Sequence, residues 1–115
     1  MDPGIYNFKV YPGADVALSF AVTGMDLTGY TARSKMRAIW DASIEYSFDV
    51  TLAYGTGWTI AASMPGATTT TIQRPTNAAP SDKCSYYWDL ELVAAGGQIY
   101  RLLQGTATIF PEATR

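Results

Sequence analysis

Ile44-Glu45-Tyr46-Ser47-Phe48-Asp49-Val50-Thr51-Leu52-Ala53-Tyr54 is the stretch whose reading decides the fold of this chain. Its even positions are all large and apolar, and its odd positions are charged, hydroxylated or small. In an extended chain successive side chains point to opposite faces, so a strict period of two marks a strand with one buried face. The same pattern recurs outward from this segment. Val16, Leu18, Phe20 and Val22 alternate with Ala17, Ser19 and Ala21 behind a Pro12-Gly13 turn. Tyr86, Trp88, Leu90 and Leu92 alternate with Tyr87, Asp89, Glu91 and Val93. Shorter candidate strands lie at 6–10, 30–40, 58–64, 69–74 and 99–110. Helical periodicity is hard to find. Short strands parted by Gly, Pro and Asp turns predict an all-β chain, a single antiparallel β-sandwich over residues 1–115.

Parity constrains the first hairpin. Between residues 30 and 40 the even positions include Met36, Ala38 and Trp40, while Arg33, Lys35 and Arg37 are odd. Directly opposed antiparallel residues face the same side, so only an even sum of residue numbers aligns the two apolar faces. A loop of Asp41-Ala42-Ser43 satisfies this. It predicts Trp40 opposite Ile44, Met36 opposite Phe48 and Lys35 opposite Asp49, with Arg37 diagonal to Glu45 and Asp49. The solvent face is then a mixed-charge ladder, each pair contributing about 0.2–1 kcal/mol. Met36, Trp40, Phe48, Val50, Trp88 and Leu90 are expected to share one core.

The last hairpin leaves two readings. If Ile99, Leu103, Ala107 and Ile109 face inward, Arg101 does too unless a bulge intervenes. Alternatively, Leu102 and Phe110 cover an interface on the outer face. Residues 75–83, rich in Pro, Asn and Ala, read as a crossing loop with one helical turn.

Composition narrows the function classes. The chain has 115 residues, enough for one core, and 48% of them are hydrophobic. Charged residues make up 16%, below the roughly 25% of an ordinary domain. Such a surface is covered by Thr, Ser, Asn and Gly or is partly buried against other chains. Net charge is −2, whereas nucleic-acid binders carry a basic face. There is no His, which removes the usual general base, the commonest metal ligand and every Ser-His or Cys-His dyad. One Cys excludes an internal disulfide and a Cys-only zinc site. Met1-Asp2-Pro3-Gly4 lacks the basic start and apolar run of a secretory signal. The uncharged segment 50–73 is too polar and too broken by Gly and Pro to span a bilayer. A soluble protein with no cofactor, no metal, no membrane partner and no small-molecule substrate is expected.

Few residues suggest chemistry. Asp89 and Glu91, roughly 7 Å apart on one strand face, have the spacing for glycosidase work, but with no deep-cleft signature around them they read as a solvated polar edge. Gly55-Thr56-Gly57 lacks the third glycine and the helix of a phosphate loop and reads as a turn. Arg33, Lys35 and Arg37 form a stripe that could meet nucleic acid or sulfated glycan if acidic neighbours did not neutralise it. Cys84, at a strand start with no His or basic cluster beside it, has no evident activation of its thiolate and reads as a small core residue. Tyr86, Tyr87 and Trp88, or Trp40, Tyr54 and Trp58, could line a sugar site or simply fill a core.

One pattern remains. Val10-Tyr11-Pro12-Gly13-Ala14-Asp15, an apolar strand, then Asp26-Leu27-Thr28-Gly29-Tyr30-Thr31-Ala32-Arg33 open the chain. Tyr87-Trp88-Asp89-Leu90-Glu91-Leu92, a Gly-rich turn, Arg101-Leu102-Leu103-Gln104-Gly105-Thr106-Ala107-Thr108-Ile109 and Pro111-Glu112-Ala113-Thr114-Arg115 close it. Together they resemble the immunoglobulin-like amino-terminal domain of baseplate upper proteins and related small structural proteins of tailed bacteriophages. The resemblance covers both ends, and the middle only by strand-turn spacing. It implies an immunoglobulin-like sandwich; physically, Leu27 is expected to plug its end, Gly29 to take positive φ, and a large ring, Tyr86, to cross Gly105. It also implies a non-enzymatic virion subunit of the tail, baseplate or fibre-attachment region, docked in multiple symmetric copies on other phage virion proteins. Fibre-anchoring members continue into a shaft and host-binding domain, so a chain reaching only Arg115 is expected to lack a receptor-binding tip. The alternatives are a capsid decoration protein and a small carbohydrate-binding module. Ile39, Tyr87, Leu102 and Phe110 are the candidate interface residues, and residues 1–6 and 110–115 are expected to order against neighbouring chains.

Overall fold

The structure, a computed structural model, describes residues 3–75, 79 and 82–111. The strands are β1 (Gly4–Ile5), β2 (Phe8–Val10), β3 (Val16–Val22), β4 (Thr31–Ala38), β5 (Glu45–Tyr54), β6 (Trp58–Met64), β7 (Cys84–Val93) and β8 (Ile99–Ile109), with one helical turn, α1 (Gly66–Thr69), after β6. The all-β expectation holds. The strands form one curled eight-stranded sheet in the order β1-β8-β7-β4-β5-β6-β3, with β2 also beside β8. The sheet is mixed, not wholly antiparallel as expected, because β1 and β2 run parallel to β8.

Strand β5 makes the curl. Its first residues pair with β4, from Glu45 opposite Arg37 to Phe48 opposite Ser34, and the rest pair with β6, from Asp49 opposite Ser63 to Tyr54 opposite Trp58. In a flat sheet β3 would lie four strand spacings from β7, about 19 Å away. Instead the Phe20 ring of β3 stacks on Trp88 of β7 with centroids 6.2 Å apart. Met36, Phe48, Ile60, Met64, Tyr86, Trp88, Leu90, Leu92 and Ile109 are buried within the curl, and Leu27 is buried as well. Gly29 has φ +81° and completes the turn in which the Tyr30 N–H donates to the Leu27 carbonyl.

Of the six expected core residues, Met36, Phe48, Trp88 and Leu90 are buried and Val50 is half-buried. Trp40 is the correction, at 37% exposed. Strand β4 ends at Ala38, and Trp40 rides on the following turn with its ring edge-on to Tyr86 at 5.3 Å.

The hairpin register is also corrected. Met36 opposes Tyr46 and Lys35 opposes Ser47, not Phe48 and Asp49. The Asp41 carboxylate accepts hydrogen bonds from the Ser43 N–H and hydroxyl, and the Ile44 N–H donates to the Asp41 carbonyl. That turn draws two more residues into the loop, so the Ala38 N–H meets the Ile44 carbonyl. The sum stays even, and the apolar faces stay aligned.

Two further expectations change, and the open reading of the last hairpin is decided. The candidate strand at 69–74 is instead the end of α1 and the loop behind it. The buried Thr69 hydroxyl accepts from the Gly13 N–H and donates to the Ala14 carbonyl, pinning the segment to the turn before β3. At the last hairpin the bulge exists: Leu90 opposes Leu103 but Glu91 opposes Arg101, so Leu102 is the extra residue and Arg101 faces outward. At Gly105 the crossing group is the backbone of Tyr6, not the Tyr86 ring. Tyr86 opposes Ala107, and its hydroxyl donates to the Gln73 carbonyl at 2.6 Å.

Near the start of the chain Gly4 and Ile5 pair with Leu103 and Gln104, and Tyr6 packs on Trp88. This part is therefore ordered by its own chain. The expectation for residues 1, 2 and 112–115 lies outside the described residues, as does most of the 75–83 loop expected to hold one helical turn.

Candidate functional site

The outward side chains of β4, β7 and β8 form three cross-strand rows. Arg33 opposes Glu91, which opposes Arg101; Lys35 opposes Asp89, which opposes Gln104; Arg37 opposes Tyr87, which opposes Thr106. Ile5 joins the middle row through its pairing with Gln104. An open groove of about 850 Å³ runs along the face between Ile5, Tyr87 and the charged residues.

The charges are paired throughout. Arg33 Nε lies 2.8 Å from Glu91 Oε1, and Arg101 Nη2 lies 3.5 Å from Asp89 and 3.7 Å from Glu91. Arg37 and Lys35 both reach Glu45, at 2.8 and 3.5 Å. Lys35 thus pairs with Glu45 in place of the expected Asp49, which the two-residue register change moves to a diagonal position. The stripe of Arg33, Lys35 and Arg37 is neutralised by acids on both neighbouring strands.

Asp89 and Glu91 share this ladder with two arginines, an arrangement that accounts for both carboxylates as structural partners. Burial, reinforced by the nearby Glu91 charge, holds the Asp89 carboxyl above the usual carboxylate range, outweighing Arg101 and Arg33. Below its unfolded value both states carry the proton and Asp89 is neutral in its effect. As pH rises past the folded value, ionisation opposes folding by a constant amount. Asp89→Asn is therefore expected to gain stability relative to the parent as pH rises from about 3, below the ordinary carboxylate value, and to keep that gain at higher pH. Thermal melts across that rise would show the difference, and a constant offset at all pH would refute it.

Tyr87 (60% exposed) and Ile39 (47% exposed) come together on this face, Ile39 following Arg37 and bonding through its N–H to the Ser85 carbonyl. Leu102 is half-buried against the core at the bulge. Phe110 is half-buried just past β8, its ring 5.2 Å from Tyr11 and covered by the Lys9 and Lys83 ammonium groups. Ile5, 67% exposed, belongs to the face and has no signal in the sequence, because its place depends on a parallel pairing with a strand 99 residues away.

The remaining candidates divide by alternation. Tyr86 and Trp88 are core, and Cys84 is buried with its thiol pushed up by desolvation. Tyr54 and Trp58 pair at 5.1 Å across the β5–β6 turn that holds Gly55 and Gly57, far from Trp40 at the other end of β5. No helix among the described residues is long and apolar enough to cross a membrane. No protein-family model matches the chain, and no curated protein is significantly similar to it.

Proposed function

We propose that this chain is a non-enzymatic structural subunit of a tailed-phage virion, assembled in multiple copies in the tail, baseplate or fibre-attachment region and docked on other virion proteins through the β4–β7–β8 face. The supporting observation is the character of that face. Exposed Tyr87, Ile5 and Ile39 sit among charges already balanced within the chain. An apolar and aromatic centre with a polar surround is how protein interfaces are composed, and stable docking takes about 800 Å² per partner. The same reading takes the curled sheet as an immunoglobulin-like sandwich whose two layers share β5. The resemblance of both chain ends to baseplate proteins and the low charge content point the same way.

A carbohydrate-binding module is the second reading. Its support is the exposed Tyr54 beside Trp58 on an open groove that Asp26 and Thr28 also line.

Quantitative mass spectrometry of purified particles, with glycan-array binding of the free protein, separates the two. Stoichiometric presence in the particle, lost in Tyr87→Ala at unchanged melting temperature, is the expected result. Absence from particles together with micromolar glycan binding that depends on Trp58 would replace the proposal by the second reading.

A further inference from the structure

We infer that two copies of this chain associate edge to edge through β3, antiparallel, about a two-fold axis at Ser19. The inference stands apart from the proposed role and from the β4–β7–β8 face, since β3 ends the sheet on the side away from β8.

Strand β3 hydrogen-bonds only with β6, through seven consecutive pairs without a bulge. Every second residue therefore turns its N–H and C=O away from the sheet, and among the described residues no other backbone segment bonds to that edge. Edges of this kind are normally blunted by a charge, a proline, a bulge or shortness. Val16-Ala17-Leu18-Ser19-Phe20-Ala21-Val22 has none of these. The opposite edge, by contrast, is broken into strands of two and three residues.

The occupant follows from the segment itself. Read in either direction from Ser19 it has the same pattern, and a two-fold interface requires such self-complementarity. Antiparallel pairing about Ser19 sets Val16 against Val22, Ala17 against Ala21 and Leu18 against Phe20 of the other copy. The outward residues Ala17, Ser19 and Ala21 are small and exposed, so nothing obstructs the approach. Leu18, Phe20 and Val22 are only half-buried in the single chain, and the pairing covers apolar surface that β6 leaves open. Beyond the strand, Asp15 falls opposite Thr23, so no like charges meet.

Sedimentation velocity on the full chain is expected to show a monomer–dimer equilibrium, with Ser19→Lys weakening it by about tenfold or more, because two ammonium groups then face each other across the axis. Ser19→Cys tests the register. Paired residues lie about 4.5–5.5 Å apart between Cα atoms, within disulfide range. Ala17 would sit about 14 Å from its own copy. Ser19→Cys is expected to cross-link under mild oxidation and Ala17→Cys to remain unlinked, and the buried native Cys84 should not compete. A monomer at all concentrations, a dimer indifferent to Ser19→Lys, or equal cross-linking at both positions would each overturn the inference.

Discussion

Trp88→Ala is expected to remove about 3–5 kcal/mol of stability, the range for emptying a large aromatic site in a packed core. Trp88 is 2% exposed and stands where the curl brings β3 against β7. Its ring lies 5.1 Å from Phe8, 6.2 Å from Tyr6 and Phe20, and 6.5 Å from Phe48. Its indole N–H donates to the Tyr6 carbonyl at 2.6 Å, so truncation also leaves that acceptor without its partner. Domains of this size are stable by only about 5–15 kcal/mol, so the variant should be marginal. Denaturant titration measures the loss directly, and near-UV circular dichroism reports the ring environment. Trp88→Phe retains most of the packing and should show chiefly the lost hydrogen bond, about 1–3 kcal/mol. Equal losses in both variants would mean that packing around the indole is not what matters.

Gly105→Val should cost about 1–3 kcal/mol, and more informatively should release the beginning of the chain. A Cβ at this position points into the Tyr6 carbonyl and the Asn7 side chain. The Tyr6 N–H donates to the Gln104 carbonyl at 2.9 Å, and Asn7 Oδ1 accepts from the Thr106 N–H at 3.0 Å and its hydroxyl at 3.2 Å. Backbone rather than a flexible side chain occupies the space, so β1 and β2 must lift away from β8. Hydrogen exchange is the discriminating measurement. Protection of amides 4–10 should fall while that of β4 and β7 persists. Parental protection in both regions would show that the close crossing at Gly105 does not exist.

The alternation in 16–22, 44–54 and 86–92 was sufficient to give strands, their buried faces and the even parity of the first hairpin. These are local consequences of backbone geometry: a period of two has only one way to bury an apolar row, and a one-residue slip would bury Arg33, Lys35 and Arg37. Parity alone, however, permits every register two residues apart. The choice among them was made by the Asp41 carboxylate, which closes its own turn and moves Lys35 from Asp49 to Ser47. The bulge at Leu102 was legible as an alternative, because Arg101 could not share a face with Leu103 without burying its charge.

What no local pattern carries is the identity of distant partners. Strand β5 reads as one uninterrupted amphipathic strand, yet it changes neighbours between Phe48 and Asp49 and thereby folds the sheet over. Segment 69–74 has strand-like residues, but the contact of Thr69 with Gly13 and Ala14 overrides them. The face holding Ile5, Ile39 and Tyr87 exists only because three segments widely separated in sequence lie side by side. Facing is set by the chain's own geometry within a few residues, so the sequence alone determined it. Pairing, curl and the assembled surface depend on free energies shared between remote segments, and only the tertiary structure decided them.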